Sequence, residues 1–119
     1  MSLEFEEVVV DATDPIALGR WWAEALGWVV TSEEGGEIAI QPAPDRFPGI
    51  LFALVPEPKT VKDRLHLDFR PDDQAAEVER LLALGATHAD VGQGDETWIV
   101  LADPEGNEFC VLASRGDAD

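Results

Sequence analysis

The sequence predicts an α+β fold made of two tandem βαβββ modules, about residues 1–56 and 64–115, whose sheets form one concave mixed surface with the helices outside. Three observations carry this expectation. An aspartate cap and a terminating glycine frame a helical stripe from Asp14 to Gly27, and the same spacing returns from Asp72 to Gly85. The rest of each half breaks into short apolar runs divided by Gly, Pro and Asp, the pattern of strands and turns. A length of 119 residues suits a single domain, 1–119, built from both halves. One module alone would leave a sheet face uncovered, so the two are expected to pack together, with a ligand groove on the concave face.

In the first module, LEFEEVVVDA over 3–12 begins with alternating apolar and acidic residues and ends β-branched, a strand that sets Leu3, Phe5, Glu7 and Val9 on one face. Asp14-Pro15 then supplies a helix cap and a proline for the first turn. Ile16, Leu18, Trp21, Trp22, Ala25 and Leu26 recur at helical spacing, which predicts a helix over 15–26 with at least one of the paired tryptophans in the core. Trp28 is expected to pack in the same layer. Strands follow at 28–32, 37–41 and 50–55, separated by Glu34-Gly35-Gly36 and by the proline-rich PAPDRFPG.

A linker over about 56–63 leads to RLHLDF, a strand. Pro71-Asp72-Asp73 starts the second helix, predicted over 73–84 with Ala75, Val78, Leu81 and Leu82 as its apolar stripe. Further strands are expected at 87–91, 96–102 and 107–113, with Asp103-Pro104-Glu105-Gly106 as the tight turn between the last two.

Composition narrows the function classes. A 45% hydrophobic content with four Trp is enough for a proper core. Twenty-five acidic residues against eight basic ones give a formal charge of −17, a field that repels phosphate backbones and anionic membrane surfaces, so neither nucleic acid nor membrane is an expected partner. No apolar run approaches the roughly 18 residues of a membrane span. The single Cys110 forbids an intramolecular disulfide, and MSLEFEE lacks the basic and apolar regions of an export signal, so a cytoplasmic location is expected. No phosphate loop, dinucleotide fingerprint or GxSxG elbow is present.

DPIALGRWWAEALGW, VPEPKTVKDRLHLDF and WIVLADPEGNEFCVL together resemble the vicinal oxygen chelate superfamily, the glyoxalase, bleomycin-resistance and extradiol dioxygenase group, and within it the small glyoxalase-like domains. The DPEGNEF turn and the VPEPK-to-HLDF junction are the most specific carriers. The resemblance implies paired βαβββ units, a homodimer, and a cavity that often holds a divalent metal on ligands from the first, fourth, fifth and eighth strands. Carried over by position, these are Glu7, an aliphatic place at Leu51 or Ala53, His66 and Glu108. Strand parity agrees: Glu7 lies on the Leu3/Phe5/Val9 face, His66 shares a face with Arg64 and Asp68, and Glu108 shares one with Cys110. Three O and N ligands suit Mn, Fe, Ni or Zn.

The alternative is a vestigial site, in which Glu7 is a solvated acid, His66 is hydrogen-bonded in the sheet and Glu108 pairs with a basic neighbour. Trp98 is the aromatic candidate for contact with a small-molecule ligand. Lys59, Lys62, Arg64 and Arg70 gather half of the basic residues, to pair with acids, with a partner subunit or with an anionic group of a ligand. Cys110 reads as packing and His88 as a surface residue. Two functions remain open. One is a metal-assisted lyase, isomerase or dioxygenase with Glu108 or Glu7 moving a proton. The other is a non-catalytic module that binds or sequesters a small hydrophobic molecule or drug. A third is an acidic interaction domain whose pocket its own tryptophans fill.

Overall fold

Both helices start where an aspartate side chain can accept a free amide of the first turn. Asp14 accepts from the Ala17 N–H at 3.2 Å and α1 runs over Pro15–Leu26, until Gly27 turns the chain left-handed at φ 67°. Asp73 accepts from the Ala76 N–H at 3.1 Å, so α2 occupies Gln74–Leu84, with Asp73 as its cap. The computed structural model describes residues 2–94 and 96–116; Met1, Asp95 and residues 117–119 of the expected 1–119 domain lie outside them. The chain divides at Pro58/Lys59 into two compact units.

In the first unit, β1 (Glu7–Ala12), β2 (Val29–Glu34), β3 (Glu37–Gln41) and β4 (Gly49–Leu54) form a sheet in the order β1-β4-β3-β2, with β1 and β4 parallel and the other pairs antiparallel. α1 packs on β3 and β4, and its Leu18 and Trp22 are buried, as are Ile38, Ile40, Ile50 and Phe52. The approach is close because position 19 has no side chain: a Cβ on Gly19 would stand 2.2 Å from Ile38 Cγ2. The alternate residues of β4, Leu51 and Ala53, are half-buried and pair with Val9 and Asp11 of β1.

The second unit repeats the pattern. β5 (Leu67–Phe69), β6 (Thr87–His88), β7 (Ile99–Ala102) and β8 (Glu108–Val111) take the order β5-β8-β7-β6, again with one parallel pair, β5 with β8. Leu101, Phe109 and Val111 are buried, and Phe69 meets Phe109 edge to face at 6.0 Å. Gln74 at the start of α2 fastens the helix to the strand ends, its Nε2 donating to the Thr97 carbonyl at 2.8 Å and its backbone N–H to Ser114 Oγ at 2.8 Å. The fold is therefore α+β, with a βαβββ order in each unit.

Several strands are shorter than their alternation predicts. β1 begins at Glu7 rather than residue 3, because β4 begins at Gly49, whose N–H reaches back only to the Glu6 carbonyl at 3.0 Å. β5 is paired over three residues rather than six, Leu67–Phe69 against Phe109–Val111 of β8. No helix among the described residues is long and apolar enough to cross a membrane.

Candidate functional site

The hairpin that presents the site is built by one aspartate. Asp103, 4% exposed, accepts the Glu105 and Asn107 N–H groups on Oδ1 at 2.9 and 3.0 Å and the Asn107 side-chain amide on Oδ2 at 2.9 Å, closing the turn between β7 and β8. Gly106 takes φ 89° there, a conformation that other residues rarely adopt. The turn sets the β7–β8 register, with Ala102 opposite Glu108 and Val100 opposite Cys110.

On its other side β8 pairs in parallel with β5, which puts Asp68 opposite Cys110. Because side chains alternate along a strand, Asp68, Val100, Glu108 and Cys110 share one face, opposite to buried Phe109 and Val111. These four and His66 line a cavity of about 420 Å³, whose apolar wall is completed by Trp98, Val91 and Leu112. Lys62, Asp63 and Gln93 complete the lining.

Both oxygens of Glu108 have partners. Lys59 Nζ lies 3.0 Å from Oε1 and 3.1 Å from Oε2, and the Asp63 backbone N–H donates to Oε1 at 3.0 Å. Both side chains of the ion pair are largely shielded, at 19% and 16% exposure. Burial alone would raise the Glu108 pKa, but the Asp63 amide and the Lys59 ammonium outweigh it and hold the carboxyl below its ordinary range. Asp63 shifts the other way: burial pushes its carboxyl up, the Glu108 and Asp103 charges add to this, and Lys59 only partly opposes it.

His66 is half exposed, with Nδ1 3.0 Å from Asp68 Oδ1 and 3.8 Å from Cys110 Sγ. Burial and the neighbouring Asp68 carboxylate push the Cys110 thiol up to about 11, so it is protonated at neutral pH and is not an activated nucleophile.

Of the residues singled out from the sequence, His66, Glu108 and Trp98 meet in this cavity. Glu7 stands in the first unit, half-buried at the first pair of β1, opposite Gly49. A divalent cation at Glu108 would share a carboxylate whose two oxygens already hold the Lys59 ammonium. Among the described residues, the His, Cys and acidic donors that converge are His66, Asp68 and Cys110, all within 4.8 Å of one another. The basic group also resolves. Lys59 pairs with Glu108, Lys62 lines the cavity, and Arg70 donates to the Ala113 carbonyl at 2.8 Å. The clamp by Lys59 and Asp63 joins positions more than forty residues from Glu108, a separation with no periodic signature.

The family model described as "Glyoxalase-like domain" matches residues 7–112. No curated protein sequence matches the chain. Among solved structures, a glyoxalase/bleomycin resistance protein/dioxygenase family enzyme from Burkholderia phytofirmans superposes with a TM-score of 0.70 at 17% identity, covering 92% of this chain and 97% of that one. A bleomycin resistance determinant encoded on transposon Tn5 gives 0.62 at 16% identity, over 95% and 99% of the two chains. The oxidase ChaP-H2 gives 0.66 at 17% identity, over 95% and 94%. At these identities the likeness concerns the fold.

Proposed function

The chain belongs to the glyoxalase-like domain family of the vicinal oxygen chelate superfamily, and on that footing we propose that it binds a small, largely apolar organic molecule in the cavity of its second unit without transforming it. The observation that carries this reading is the state of Glu108. A general base needs a free oxygen and a pKa near the working pH, whereas this carboxylate is held ionised by Lys59 and the Asp63 amide. Around it the wall is aromatic and aliphatic, with Trp98, Val91, Val100 and Leu112 offering stacking and contact area. The protein acts as a cytoplasmic homodimer, since association would give partners to the strands that end each sheet order, β1 and β2 in one and β5 and β6 in the other.

A thermal-shift screen of aromatic and heteroaromatic ligands, followed by calorimetry of the hits, tests the reading. Binding should weaken about tenfold in Trp98→Ala and recover in Trp98→Phe. Turnover of a bound compound that is lost in Glu108→Gln would replace the binding module by the metal-assisted lyase, isomerase or dioxygenase reading, with Glu108 moving the proton.

A further inference from the structure

We propose that His66, Asp68 and Cys110 form a site for a thiophilic divalent cation, zinc above all, on the cavity face of the second unit. This donor set differs from Glu7, His66 and Glu108. It shares only the histidine and leaves the Lys59–Glu108 pair intact.

The site follows from register. His66 and Asp68 are two residues apart leading into and along β5, hence on one face, and the parallel pairing places Cys110 directly beside Asp68. Three different donors thereby converge: an imidazole nitrogen 3.0 Å from a carboxylate oxygen and 3.8 Å from a sulfur. Around a tetrahedral zinc, with bonds of about 2.0 Å to N and O and about 2.3 Å to S, neighbouring donors stand roughly 3.3–3.6 Å apart. The two spacings from the imidazole bracket that range and all three donors lie within 4.8 Å of one another, so the shell closes by side-chain adjustment at Asp68 and Cys110, on paired strands, and at His66, just before β5. Chemistry selects the ion. A sulfur ligand with imidazole and carboxylate favours zinc or cobalt over magnesium, calcium or manganese. Binding displaces the thiol proton to solvent and forms the metal–sulfur bond, with no redox change. Three protein ligands leave a fourth vertex open to a water or to a ligand of the cavity.

The inference stands independently of the organic-ligand reading, because either can fail while the other holds. The experiment titrates the chelator-treated full chain, kept reduced by a phosphine, with Co(II) and then with Zn(II). One equivalent of Co(II) should produce a thiolate-to-cobalt charge-transfer band and the intense visible bands of tetrahedral cobalt, and Zn(II) should abolish both. Cys110→Ser should remove the charge-transfer band. Asp68→Asn should weaken zinc binding by at least the 10–100-fold typical of losing a supporting partner. Glu108→Gln should change neither. Zinc should also protect Cys110 of the unaltered protein from alkylation, a readout that requires no variant to fold. A spectrum without thiolate character, binding abolished by Glu108→Gln, or alkylation unaffected by zinc would each overturn the proposal.

Discussion

Asp63 and Glu108 are neighbours whose carboxyl groups are driven in opposite directions by one arrangement: the backbone amide of Asp63 stabilises the Glu108 charge, while its side chain suffers from that same charge. The consequences for stability have opposite signs. The Glu108 pKa is lowered on folding, so its contribution is present above the ordinary carboxylate range and is lost as pH falls through the depressed value. The Asp63 pKa is raised, so its ionised form costs stability at neutral pH, and that cost disappears as pH falls through the raised value. Asp63→Asn should accordingly raise Tm by about 2 °C at pH 7, with the gain vanishing in acid. Glu108→Gln should lower Tm by about 5 °C at pH 7, because it leaves Lys59 shielded without a counter-charge, and the deficit should shrink toward pH 3. Melting curves of the three proteins across pH check both statements.

At the scale of the element, α1 lies against its sheet through a residue that has no side chain. Gly19→Ala drives a methyl into Ile38 and Phe52, and should cost about 1–3 kcal/mol by urea denaturation at an unchanged m-value. This contact also marks where sequence reading stops. Both helices were legible because their signals are local, as in Asp14-Pro15 and Gly27 around α1. Strand lengths were not, since alternation identifies a face but says nothing of how far a partner extends. Leu3 and Phe5 alternate as well as Val8 and Val10 do, yet β4 pairs only from Gly49 onward. The site divides in the same way. Parity alone puts Asp68 beside His66 and Cys110 beside Glu108, whereas Lys59 and Asp63 reach Glu108 through chain folding that leaves no trace in spacing.

For the molecule as a whole, charge sets the terms of association. At −17 per chain, two copies repel, and the ions that screen them decide how tightly the proposed homodimer holds. Its dissociation constant should tighten about fivefold or more as NaCl rises from roughly 0.02 to 0.3 M, where the Debye length falls from over 20 Å to about 6 Å. Sedimentation velocity at both salts measures this, and a monomer at high micromolar concentration in both would remove the dimer.

The parallel pairing of β1 with β4 has a kinetic meaning. β2, β3 and β4 follow one another and can zip as antiparallel neighbours, but Glu7 meets Gly49 only after the helix and two strands between them are in place. The first strand of the unit in sequence should thus be the last to dock, closing a meander nucleated without it. In stopped-flow chevrons, Val10→Ala should speed unfolding about tenfold and leave refolding within about twofold, the mark of a contact absent from the transition state. Slower refolding would instead put β1 in the nucleus.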